Sequence, residues 1–395
     1  MSLKLLVKLT ALTLTLASIN TAAASDSCDS TKIINRFSVE AGVAGIPPTS
    51  SFFKGDNLDG KRITVSSTLH LKYGFSFAPA TVRGRWLRGS YQGIGLGVNT
   101  FNPGNMLGVP VSAYVYQGAP FWHITPKLSL GYEWQFGASF GWKKNNELTD
   151  PQNIVGSHTN AYINLGLRLD YRLSPDLSLV AVADGSHFSN GNTSQPNSGV
   201  NTIGVRFGVV YTPDACGREY DLEPLPDFRR GISYDLLLYG AWRRRIFESG
   251  GEKSLLPGKF GVAGISFAPM YDVCRLFRAG VSLDVQYDES SGLKKYKVDG
   301  SPDSAPLFYR PPFMKSVSAG LSARAEFVMP VFSVAVGFGR NVLGPSDSRH
   351  FYQTLNLKAY VMGDLFLNVG YQLHDFKSPN NLMLGFGYRF NSSHG

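Results

Sequence analysis

The sequence predicts an all-β protein, a transmembrane antiparallel β-barrel with about sixteen strands. Three observations lead there. Apolar and polar residues alternate with a period of two over long segments, as strands with one lipid-facing side require. Only 17% of the 395 residues are charged, while 43 are glycine and 13% are aromatic. The last segment, Leu382-Met383-Leu384-Gly385-Phe386-Gly387-Tyr388-Arg389-Phe390, ends in aromatics like the closing strand of an outer-membrane barrel. A secreted β-sandwich shares the alternation, but the length of these segments and the aromatic pairs at their ends favour the barrel.

The elements follow in order. Lys4 and Lys8, the mildly apolar stretch 9–19 and Ala22-Ala23-Ala24 form a signal peptide over residues 1–24, so the mature chain begins at Ser25. Asp26-Ser27 before Cys28 does not make a lipoprotein signal. No later run of about 18 apolar residues is present to make a helical span. Alternation and turn signals place strands at 34–44, 64–76, 90–99, 108–122, 127–142, 159–172, 176–189 and 200–211. This first unit occupies residues 25–212.

Residues 213–230 carry acids, prolines and Cys216 without alternation and read as a periplasmic linker. A second unit, 231–390, has strands at 231–245, 257–269, 274–288, 313–328, 331–341, 351–362, 364–374 and 381–390, followed by a tail, 391–395. In each half a short turn leads to a histidine-bearing strand end, a Pro-Asn loop and a final glycine- and aromatic-rich strand, a faint internal repeat. Two architectures satisfy the even strand count: tandem eight-stranded barrels filled by their own side chains, or one large barrel with a lumen.

Charge adds little. The formal net charge is +9, and +7 once Lys4 and Lys8 are removed. No basic tract interleaves with aromatics, so nucleic acid is not expected as a partner, and a mild basic excess suits anionic headgroups of outer-membrane lipids. Arg243-Arg244-Arg245 reads as a charged loop boundary, and Phe121-Trp122-His123 as part of an aromatic girdle. The spacing of Cys28, Cys216 and Cys274 matches no metal site, and Cys216–Cys274 is the expected disulfide in an oxidising compartment.

The segment with chemistry is His187-Phe188-Ser189-Asn190. Along 176–189 one face carries Leu177, Leu179, Ala181, Ala183, Gly185, His187 and Ser189; the other carries Asp184 and further polar residues. The first face is the lipid-facing one, so His187 and Ser189 point outward near the membrane boundary. The next strand places Asn201 on the same outer face and Arg206 inward, where it can pair with Asp184. A serine attacks an ester carbonyl when an imidazole takes its proton, and a third polar group must orient that imidazole. His187, Ser189 and Asn201 supply base, nucleophile and orienting group, and Asn190 with the following turn amides supplies an oxyanion site. An outward site at the membrane boundary implies a lipid substrate.

This run, with Gln195-Pro196-Asn197-Ser198-Gly199 after it, resembles the signature of the outer-membrane lipid A 3-O-deacylase family over about residues 30–212. The resemblance implies an eight-stranded barrel that removes the 3-position ester-linked acyl chain of lipid A without metal or other cofactor. It assigns His187 as base, Ser189 as nucleophile and Asn190 to the oxyanion hole, and it makes lipopolysaccharide the partner. The active site is then near the extracellular leaflet of the outer membrane. Asn201 stands where the family carries its acid, normally glutamate; an amide can orient imidazole but brings no charge to imidazolium. The second unit lies beyond the compact family barrel, and its counterpart run, His374-Asp375-Phe376, has no serine two residues after the histidine. It reads as non-catalytic. The competing function is a non-enzymatic, porin-like or structural barrel.

Overall fold

The computed structural model describes residues 33–79, 81–102, 106–144, 154–213, 227–249, 252–296, 307–345, 350–376 and 378–390. The expected signal peptide, Cys28, Cys216, most of the 213–230 linker and the 391–395 tail lie outside the described residues. Strands β1 (Ile33–Gly45), β2 (Val65–Phe77), β3 (Tyr91–Asn102), β4 (Gly108–His123), β5 (Leu128–Trp142), β6 (Thr159–Arg172), β7 (Leu177–Ser189) and β8 (Val200–Tyr211) form one antiparallel sheet. Pairing of β8 back onto β1, from Phe37↔Tyr211 to Gly45↔Ile203, closes it.

The second unit closes in the same way. It comprises β9 (Ile232–Arg243), β12 (Phe260–Cys274), β13 (Phe277–Asp288), β16 (Val317–Val328), β17 (Phe332–Leu343), β18 (Phe351–Met362), β19 (Leu365–His374) and β20 (Ser378–Phe390). Two small hairpins sit in its loops, β10 (Ile246–Ser249) with β11 (Glu252–Leu255) and β14 (Lys294–Tyr296) with β15 (Leu307–Tyr309). The structure thus selects two tandem eight-stranded barrels over one large barrel.

Charged side chains fill both interiors. In the first barrel Lys72 bridges Glu40 at 2.6 Å and Glu133 at 2.7 Å, and Arg168 reaches the same two acids at 2.8 and 3.1 Å. In the second, Lys358 bridges Asp235 and Glu326, each at 2.6 Å, and Arg389 pairs with both at 2.9 and 2.7 Å. Ion pairs removed from water are tolerated here because each charge has several opposite partners. The faint repeat has a physical counterpart: in each barrel the first strand brings an acid, while the sixth and eighth bring cations (Arg168 and Arg206, Lys358 and Arg389).

The outward faces are apolar, with Leu165, Leu167 and Leu169 on β6 and Ile203, Val205, Phe207 and Val209 on β8 all exposed. Connections at one end of each barrel are mostly short turns, the helix-bearing β2–β3 connection excepted, and the longest loops lie at the other end. At the loop end of the first barrel, Phe52 and Phe53 from a 3₁₀ turn, Phe101, Trp142, Tyr162 and Phe188 join an apolar cluster that caps the interior.

Three local features depart from the sequence reading. The β2–β3 connection contains a helix, α1 (Val82–Leu87), capped by Thr81 Oγ1 accepting from Gly84 N at 2.9 Å. A side chain at position 84 would collide with the Ala78 carbonyl, so glycine is required there. Strand β12 runs on past Pro269 to Cys274, because a proline removes only one ladder donor and the flanking pairs, Phe267↔Leu283 and Met270↔Gly280, keep the register. Arg243 is not part of a solvated basic boundary: it points inward and is buried, bonded to Asp288, Ser290 and Asn380.

Candidate active site

Strand β7 sets the site through an inward aromatic. Phe188 is buried, its ring 5.1 Å from Tyr162 in a stacked arrangement and 5.1 Å from Trp142. Because neighbouring side chains on a strand alternate, anchoring Phe188 inside turns His187 and Ser189 outward. Register then supplies the third group, since His187 lies directly opposite Asn201 on β8. Their side chains bond, His187 Nδ1 to Asn201 Oδ1, at 2.7 Å. A carbonyl oxygen facing Nδ1 holds the proton on that nitrogen and leaves the Nε2 lone pair to act as base.

The 190–199 loop is tied together by the residues of the Gln-Pro-Asn run. Asn197 Oδ1 accepts from Asn190 N at 3.0 Å, and its amide nitrogen donates to Asn192 Oδ1 at 3.2 Å. Gln195 Nε2 donates to the same oxygen at 3.2 Å. Behind the loop, Gly156 N donates to the Pro196 carbonyl at 2.8 Å, and Val155 forms a bridge with Asn197. Gly199 has φ +72°, and a Cβ there would lie 3.1 Å from His187 Cε1, so this glycine makes room for the imidazole. The Asn190 main-chain amide is committed to Asn197. Its side-chain amide makes only a long contact, 3.5 Å, to the Pro196 carbonyl and can turn toward a developing oxyanion.

The second barrel completes the surroundings. Ser189 points to the outer face yet is only 7% exposed, whereas Leu165 on the neighbouring strand's outer face is 63% exposed. The cover is β19 and β20. Tyr371 and Leu382 pack so close to Gly191 that a Cβ there would come within 3.1 Å of the Tyr371 ring and 2.7 Å of Leu382, and both line the same cleft as Ser189. A cleft of about 1110 Å³ opens from this point, with Phe136, Ala138, Ala161 and Ile163 on one side and Val336, Leu355, Val369 and Leu384 on the other.

Other sequence candidates sit apart from this site. Asp184 faces the interior, paired with Arg206 and accepting from Asn164 at 2.9 Å, so it does not replace the carboxylate missing at position 201. His374 is half-buried beside His350, ring centroids 5.8 Å apart, and His350 pairs with Asp375 at 3.2 Å. Phe376 takes the place a serine would need. Cys274 is exposed and has no disulfide partner among the described residues; Cys216, the partner expected for it, lies outside them.

Two family models match the chain. The lipid A 3-O-deacylase (PagL) model covers residues 68–210, and the acyloxyacyl hydrolase C-terminal domain model covers residues 232–392. The chain belongs to the lipid A 3-O-deacylase family. The second barrel is therefore a recognised companion of the first and not an unrelated appendage. A search of the curated proteins finds no match. Among solved structures the deacylase is similar to the alcaligin outer-membrane receptor FauA from Bordetella pertussis, with 9% identity, 92% of this chain and 66% of that chain covered, and a TM-score of 0.24. The siderophore receptor PirA from Pseudomonas aeruginosa gives 8% identity, 91% and 81% coverage and a TM-score of 0.24. Family and fold together make the deacylase an outer-membrane β-barrel ester hydrolase.

Sequence reasoning missed Tyr371 and Leu382. Both lie on lipid-facing positions of β19 and β20, where a tyrosine or leucine looks like ordinary membrane surface. Only the side-by-side placement of the barrels turns them toward Ser189.

Proposed function

We propose that the deacylase removes an ester-linked acyl chain from lipid A with Ser189 as nucleophile, His187 as base and Asn201 as the group that orients the base. The observation that carries this reading is the 2.7 Å His187–Asn201 bond, with Ser189 two residues further along the same outward face. Ser189 Oγ attacks the ester carbonyl carbon while His187 Nε2 takes its proton. The tetrahedral oxyanion is met by the Asn190 side-chain amide. Collapse breaks the bond to the sugar oxygen, which takes the proton back from His187 and leaves. Water then attacks the acyl-Ser189 ester with His187 again as base, releasing a fatty acid. The neutral Asn201 amide fixes the imidazole tautomer and adds no charge against imidazolium.

Orientation follows from loop length. Short turns face the periplasm and long loops the exterior in barrels of this class, which supports a position of the 190–199 loop and Ser189 near the extracellular leaflet, where lipopolysaccharide is the neighbouring lipid. The 3-position is the regiochemistry that the family resemblance supports. A lipophilic fluorophosphonate tests the nucleophile: it should label the folded wild-type barrel on the Ser189 peptide. Labelling should vanish in Ser189→Ala and fall by about a hundredfold in rate in His187→Ala. Undiminished labelling in Ser189→Ala would contradict the assignment.

A further inference from the structure

We infer that the cleft between the two barrels is the acyl-chain site, so that the second barrel selects the length of the chain cleaved at Ser189; this rests on the esterase reading above. The barrels are clasped at both ends. At the loop end, Arg244 N donates to the Asn192 carbonyl at 2.8 Å. At the turn end, the Arg275 guanidinium lies 3.8 Å from the centroid of the Trp86 ring on α1. Between the clasps the outward faces stay apart. Small residues stand on both walls, Ala161 on β6 and Ala323 and Ala325 on β16.

The space between is apolar and at membrane depth, so hydrocarbon and not water fills it. Its volume of about 1110 Å³ slightly exceeds the roughly 300–1,000 Å³ of ordinary ligand pockets, which is room for extended chains. Ser189 and His187 line its upper part, with Asn190 and Thr193 as a polar edge. Below Ser189, at the level of His187, Ile163 continues the near wall, and Val369 and Leu384 lie one step below Tyr371 and Leu382 on the far one. An amphiphile fits this gradient in one direction only, with its sugar at the loops, its ester at Ser189 and its chain between the barrels. From Leu384 across Val369 to Leu355 and Val336, neighbouring strands of the second barrel present apolar side chains along the far wall. Tyr371 lines the same cleft as Ser189 and continues that wall up to the nucleophile.

Wall substitutions remote from Ser189 provide the test. Val336→Trp and Ala325→Phe narrow the cleft, while Val281→Trp adds the same bulk on a lipid-facing position of β13 outside it. The full-length protein in detergent micelles is assayed on p-nitrophenyl butyrate and p-nitrophenyl palmitate, with barrel closure checked by heat-dependent gel mobility. The palmitate-to-butyrate ratio of kcat/KM should fall about tenfold or more in a folded wall variant and shift by less than about twofold in Val281→Trp. An unchanged ratio in the folded wall variants would mean that the cleft is a gap filled by passive lipid, and the inference fails while the esterase stands. Turnover of neither ester by wild type, or of both by Ser189→Ala, would remove the esterase reading and this inference with it.

Discussion

At the residue scale, Asn201 sets how strongly His187 is supported. The amide accepts the Nδ1 proton at 2.7 Å but carries no charge, so Asn201→Asp, which keeps the shape and adds a carboxylate, should raise kcat about tenfold. Asn201→Leu should lower it about a hundredfold by releasing the tautomer. Ester turnover by the purified protein checks both, and a fall in kcat for the aspartate variant would speak against the orienting role. Gly199 makes a second prediction. Its φ of +72° and the 3.1 Å approach to His187 mean that Gly199→Ala strains the backbone by about 1–2 kcal/mol and pushes the ring. Activity should drop at least about tenfold while the protein still shows the gel mobility of a closed barrel. His187, Ser189 and Asn201 were all legible in the sequence because strand alternation and one hairpin register are enough to put them on one face. Tyr371 was not, since its position beside Ser189 depends on the contact between barrels and not on any local pattern.

At the scale of the element, the end of β7 is held by one inward ring. Phe188→Ala removes a buried aromatic stacked on Tyr162 and tilted against Trp142, which costs about 3–5 kcal/mol and frees His187 and Ser189 to wander. The melting temperature and ester turnover should fall together, and Phe188→Tyr or Phe188→Leu should restore much of the stability. Strand positions were readable because lipid outside and filled interior inside impose a strict alternation, and β5, β6 and β7 appear within a residue or so of the expected spans. The exceptions have local causes. Helix α1 depends on the Thr81 cap and the tight glycine at 84, signals hidden in a stretch that looks like a plain turn. Strand β12 passes through Pro269, which in an isolated sequence reads as a strand end.

At the scale of the whole molecule, closure was the part that alternation left open. Whether β8 returns to β1 is a long-range pairing, Val39↔Val209 among others, and an identical pattern of faces serves a sixteen-strand pore equally well. Eight strands closing on interlocked ion pairs such as Lys72 with Glu40 and Glu133 leave interiors packed with side chains. Planar bilayers containing the protein should therefore show none of the steady, large conductance steps of a porin, with or without Ser189; regular open-channel steps would contradict the filled-barrel account. In the proposed reading the cleft between the barrels, and not a lumen, is where lipid meets Ser189. The most direct test is the mass of lipid A from outer membranes of cells producing the wild-type protein or Ser189→Ala. The account predicts lipid A lighter by one ester-linked acyl chain with wild type and full-mass lipid A with the variant. Full-mass lipid A in both, or the same loss in both, would contradict it.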